Sequence, residues 1–140
     1  MDLRLESQWV NIADVALDPN NLTDLRPGFM VGMVVRNPGM PTVIDWRAEV
    51  TWPDQQKETI YPEVRSNTTI HTDKGDTTFN TSDLLTRRTA VPIVHGGMVN
   101  GVLVFIFKEE GGYTRQDLLA SRIVVIARDV KRDDHAIKVK

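Results

Sequence analysis

The chain contains no cysteine, no purely apolar run longer than six residues, and almost no excess of charge of either sign. Each shortage excludes something. Without cysteine there is no disulfide framework, and a chain of 140 residues does not need one. A domain of that length buries roughly two-thirds of its unfolded surface. The same lack leaves the redox compartment open, so both the cytoplasm and a soluble ectodomain of a membrane-anchored protein fit. The longest apolar run, residues 102–107, falls far short of the roughly 20 residues of a membrane-spanning helix. Residues 1–6 have no basic region leading into an apolar stretch, so no signal peptide is expected. Seventeen basic and 19 acidic residues leave a net charge of −2. Residues 1–70 carry 6 basic and 10 acidic groups (−4), and residues 71–140 carry 11 and 9 (+2). Neither half is basic enough for a nucleic-acid partner.

What is present is strand pattern. Residues 29–36, apolar apart from Gly32 and the closing Arg36, end at Asn37-Pro38-Gly39, which reads as a buried strand closed by a turn. In residues 42–52, Ile44, Trp46, Ala48, Val50 and Trp52 alternate with Val43, Asp45, Arg47, Glu49 and Thr51. Period two with one mostly polar face is the strongest strand signal in the chain. Residues 101–108 are β-branched and aromatic, as expected of a central strand buried on both faces. Weaker signals predict an opening strand at Leu3 and Leu5, extending to Ser7 and Trp9, with residues 12–17 as its continuation or its neighbour. A hairpin is expected around Asp73-Lys74-Gly75-Asp76, and short strands at 90–94, 123–127 and 136–140. Pro92 makes the 90–94 strand an edge or a bulge. Helical signals are single turns, one capped by Thr81 or Ser82 and one by Thr114. Short strands without crossover helices predict one all-β domain over residues 1–140, an antiparallel two-sheet sandwich of immunoglobulin-like type with one or two short helical turns.

Two stretches resemble a known family. Phe29-Met30-Val31 through Arg36-Asn37-Pro38-Gly39-Met40-Pro41-Thr42, followed by Asp45-Trp46, resembles the strand, Asn-x-Gly, strand-with-Trp hairpin of immunoglobulin-like bacterial domains. Gly97, Gly101, Leu103 and Phe105, then residues 123–127 and Asp129, are similar to the closing strands of telokin-like immunoglobulin domains of bacterial lipoproteins and surface proteins. The likeness covers the central and C-terminal two-thirds of the chain. It implies a fold and no chemistry, since such domains are not known as catalysts. The chain departs from the immunoglobulin pattern in lacking the paired cysteines, while Trp46 can serve as the buried core tryptophan.

Templates for chemistry find no match. His71, His95 and His135 have none of the close spacing of zinc ligands. Asp73 and Asp76 could join Asp18, Asp24, Asp54 or Asp129 around calcium, but Asp and Gly are also what a plain hairpin turn demands. No Gly-x-Ser-x-Gly elbow surrounds Ser7, Ser66, Ser82 or Ser121. Glu109-Glu110 are adjacent and point apart, and neither Gly96-Gly97 nor Gly111-Gly112 opens a phosphate loop. No cofactor and no metal are therefore expected. The reading that follows is a non-catalytic interaction module whose partner is a protein, met through loops or a sheet edge, with self-association included. Loops 37–42, 53–58 and 95–100 are the expected contact surface, with Met40, Trp52, Asp54, His95, Met98 and Asn100 as the residues named. A calcium-dependent module docking on membranes or glycans is the alternative, and carbohydrate binding on exposed rings, with Trp52 at the strand end and Trp9 as candidates, is a minority reading. A hydrolase built from His95 with Asp76 or Glu110 comes third.

Overall fold

The computed structural model describes residues 2–18, 21–64, 69–72, 75–108 and 112–140, with side chains outside 16–24 and 65–77. The strands form two antiparallel sheets. One contains β1 (Arg4–Asp18), β2 (Asn21–Arg36), β5 (Thr69–Thr72), β6 (Gly75–Thr78) and β7 (Met98–Ile106), in the order β6-β5-β1-β2-β7. The other contains β3 (Asp45–Thr51), β4 (Lys57–Ile60), β8 (Arg122–Arg128) and β9 (Asp134–Lys138), in the order β4-β3-β8-β9. The architecture is the all-β two-sheet arrangement that the alternation predicts.

Parity explains the core. Phe29, Val31, Met33 and Val35 of β2 and Leu103 and Phe105 of β7 face Trp46, Ala48 and Val50 of β3 and Ile123, Val125 and Ala127 of β8. Each such side chain contributes roughly 1.5–3 kcal/mol by leaving water. Trp46 is the expected anchor: it is buried, and its Nε1–H donates to Thr89 Oγ1 at 2.9 Å. Threonine 89 is itself buried, so the bond satisfies two polar groups that water cannot reach.

Several expectations need correction. Residues 29–36 and 42–52 are not a hairpin: β2 and β3 lie in different sheets, and residues 37–44 cross between them. Residue 101 opens no central strand, since β7 is the last strand of its sheet. Its two buried faces have a tertiary cause. The segment after β6 crosses the outer face of the sheet as a strap, and Leu84 packs there with Met30, Val104, Ile106, Ala13 and Val15. A parallel bridge from Leu84 to Val102 ties the strap down. The strap holds a 3-10 turn (Thr81–Asp83) that begins after Asn80, so Thr81 and Ser82 lie inside it and do not cap it. It then runs into α1 (Leu85–Arg88), whereas α2 (Arg115–Leu119) is capped by Thr114 as expected.

Residues 90–94 form no strand. Only Ile93 pairs, through a single bridge with Thr42, because Pro92 offers no N–H and the chain is rising toward a turn at Gly96. β5 and β6 bear out the hairpin around Gly75, with residues 73–74 outside the described residues. β1 is continuous and pairs with β5 at Asp14 and Val15 only. Residues 4–13 therefore carry one edge without a strand partner among the described residues.

Candidate functional site

The end of the sandwich at which β2 stops and β3 and β7 start is built from three segments: residues 37–44, residues 89–97 and the turn between β8 and β9. Asn37 holds the first two together. Its side chain is 3% exposed, and Nδ2 donates to Met40 O (2.9 Å) and Ile93 O (2.8 Å), while Oδ1 accepts from Gly39 N (3.0 Å). Its backbone closes the same joint, with Asn37 N–H donating to Gly97 O and Gly96 N–H donating to Asn37 O. The chain can turn there because Gly96 takes a left-handed φ of 77°, which costs glycine nothing. Thr42 fastens the third segment: its Oγ1 accepts from Val130 N at 2.9 Å. His95 is exposed, and Nδ1 lies 2.9 Å from Gly39 O, a further link across the joint.

On this fastened base stand large apolar side chains in water. Met40 is 71% exposed, Val91 and Val94 62% each, Met98 57% and Val130 60%. The loops are fixed by backbone and amide bonds rather than by burying these groups. Beside them a cavity of about 820 Å³ opens where β4 ends at Ile60, lined by Val43, Ala90, Tyr61, Val64, Arg47 and Arg128. Both arginines grip Asp134: Arg128 Nε to Oδ1 at 2.8 Å and Arg47 Nη2 to Oδ2 at 2.9 Å. Hydrogen bonds from Arg128, then Arg47, hold the Asp134 carboxyl far below the usual carboxylate range and raise both guanidinium values. In the adjoining turn, partial burial works against ionisation of Asp129, but bonds from His135 and from the Asp133 and Lys131 N–H groups outweigh it and lower its pKa.

Lowered carboxyl values set the sign of the pH response. The stabilisation is complete above the ordinary aspartate value of about 4, and it is lost as the pH falls from there toward the folded-state value. The urea midpoint of the native protein is expected to drop between pH 5 and pH 2, and Asp134→Asn to flatten part of that drop (about those limits by the reference values). Parallel curves for the two proteins would show that the Asp134 pairing contributes nothing.

The residues named from sequence fall in three places. Met40, His95 and Met98 come together at the loop end. Trp52 and Asp54 sit at the opposite end, and Asn100 lies on β7 beside Arg88. Trp52 is not an exposed ring: it is 2% exposed, stacked under Tyr113 at 3.9 Å and 3°, because the turn after β3 folds back through a bond from Trp52 N–H to Gln56 O. Tyr113 in turn donates to Asp54 Oδ2 at 2.8 Å. Burial and then that bond raise the tyrosine pKa. Of the acids considered for calcium, Asp54 and Asp129 are thus engaged with protein donors. The side chains of Asp18, Asp24, Asp73 and Asp76, and with Glu110 those of the hydrolase reading, lie outside the described residues. Val91 and Val94 lie in a stretch that reads as strand, where valines are assigned to a core, and Val130 lies between two such stretches. Pro92 was the signal that the stretch would not pair.

No helix among the described residues is long and apolar enough to cross a membrane. The fold and this surface place the chain among two-sheet β proteins. Compared with models of known families, with curated proteins and with solved structures, the chain matches none.

Proposed function

We propose that the chain is a non-catalytic interaction module that binds another protein through the loop end. One observation carries this reading: five large apolar side chains, each more than half exposed, stand on loops and at the start of β7, where the chain is already tied by buried and half-buried hydrogen bonds. Exposed apolar patches of this kind mark contact surfaces, and a pre-fixed loop loses little entropy on binding.

A photo-crosslinker at Val94 is expected to capture a discrete partner that one at Lys138 does not. Met40→Ser, Val94→Ser and Val130→Ser together are expected to weaken that partner by roughly 100-fold, about 3 kcal/mol of lost apolar burial. Folding stability should stay within about 0.5 kcal/mol, as these groups already face water. Unchanged affinity in the triple variant would set the loop end aside.

A second reading has its own observation, the edge of β1 along residues 4–13, which β9 approaches but no described strand pairs with. A second copy could add a strand there in antiparallel register about Leu5, which sets Arg4 of one copy opposite Glu6 of the other. Light scattering over a dilution series checks it, and a monomer at every concentration excludes it.

A further inference from the structure

On the outer face of the five-stranded sheet, between the strands and the strap, lies a groove of about 400 Å³. A break in the strand pattern makes its floor. The register of β1 shifts between Ser7 and Trp9, so Gln8 bulges and Trp9 comes opposite Gly32, which itself pairs with Val102. A Cβ on residue 32 would collide with the pyrrole edge of the indole, so glycine is what lets Trp9 settle on the β2 backbone. Trp9 nevertheless remains 37% exposed, against 5% for Trp46 and 2% for Trp52. Phe79 and Val102 extend the apolar floor, and Gln8, Asp83, Arg88 and Asn100 form the rim. Arg88 is fixed there: Nε donates to Ser82 O and Nη1 to Asn100 O, both at 2.8 Å, with the Asp83 carboxylate 3.8 Å away.

We propose that this groove binds a neutral saccharide, with one pyranose ring resting on Trp9 and its hydroxyls meeting Asn100, Gln8, Asp83 and Arg88. The chemistry matches on three counts. The C–H face of a pyranose is apolar and flat enough to lie on an indole. Planar amide, carboxylate and guanidinium groups offer the donors and acceptors that neighbouring hydroxyls need, so no rim group is desolvated without a partner. The one acid and one base of the rim balance, so the groove has no net charge with which to attract an ionic ligand. An apolar protein surface would strip water from the rim without replacing its hydrogen bonds, and a nucleotide would bring a phosphate whose charge this balanced rim does not neutralise. The volume lies at the small end of the range for small-molecule clefts, about 300–1,000 Å³.

The test uses the whole chain and NMR. Glucose, galactose, mannose, N-acetylglucosamine and their short oligomers are titrated to millimolar concentration while the three indole N–H resonances are followed, with adenosine monophosphate as a further arm. The Trp9 signal is assigned through Trp9→Phe, and buried Trp46 and Trp52 report on the fold. A saturable shift confined to Trp9 with at least one sugar is the expected result. Trp9→Ala should abolish binding, and Asn100→Ala should weaken it about tenfold, the effect of one lost hydrogen bond. Loop-end serine variants should leave it unchanged, which separates this site from the protein-binding surface. Absence of any sugar-dependent shift, binding that survives Trp9→Ala, or a shift with the nucleotide alone overturns the proposal.

Discussion

Asn37→Asp is expected to lower stability by about 2–4 kcal/mol at neutral pH and to loosen the whole loop end. Aspartate matches asparagine in shape and keeps Oδ1, the acceptor for Gly39 N. What changes is the other atom. Nδ2 now donates to two carbonyls, Met40 O and Ile93 O, with Val94 O a longer third contact at 3.5 Å. A carboxylate puts an unprotonated, negative oxygen against those same carbonyls in a site closed to water. The new carboxyl would therefore hold its proton more tightly in the folded protein than in the unfolded chain. A folded-state value raised in this way means the deficit is small at low pH and grows as the pH rises through the unfolded value near 4. Urea unfolding at pH 4 and pH 7 reads this directly, and hydrogen exchange should show faster opening at Gly96 and Gly97 (pH values set by the ordinary aspartate pKa). A deficit equal at both pH values would mean that the repulsion described is not the cause. Asn37→Ala should cost less, since it removes the donor without adding a charge.

Phe105→Ala is expected to remove about 3–5 kcal/mol, a large share of the total stability. A domain of this size has a total stability of about 5–15 kcal/mol. Phe105 is fully buried on β7 and stacks on Phe29 at 4.6 Å and 16°. Phe29 leads on to Phe107 at 6.2 Å, Phe107 to Trp52 at 5.0 Å, and Trp52 to Tyr113 at 3.9 Å. One row of rings thus joins the two sheets to the segment before α2. Truncation opens a cavity on the inner face of β7, and Val104 and Ile106, packed on the opposite face, keep the strand from moving in to fill it. Leucine should restore most of the loss. A cost under about 1.5 kcal/mol would mean that the sheets close over the gap, as volume-conserving swaps allow.

Period-two alternation made the strands legible, because in a half-buried sheet the side-chain parity is the fold. Trp46, Ala48 and Val50 could be assigned to the core from spacing alone, and the structure buries all three. The capped turn at Thr114 was equally readable, since the cap bonds lie within four residues. Trp52 shares the same parity, yet its place one residue beyond β3 suggested exposure. Tyr113, distant in sequence, is what covers it. The candidate site was half legible. Met40 and His95 sit in turn-rich segments where exposure is the ordinary outcome, and Met98 begins β7 directly after such a turn. The exposed valines were hidden because a local pattern cannot report that Pro92 and one bridge leave a stretch unpaired.

The sequence by itself determined the all-β fold class, the strands within residues 29–36, 42–52, 101–108 and 123–127, and which face of β3 is buried. All of these depend on contacts within a strand or on the solvation of its own side chains. Only the tertiary structure decided which strands share a sheet. It alone placed residues 37–44 across the sandwich, turned β7 into a covered edge, and brought Asn37 to Ile93 and Trp9 to Gly32. These are pairings between residues far apart along the chain. Their free energy exists only once the loops between them have closed, so no window of sequence contains it.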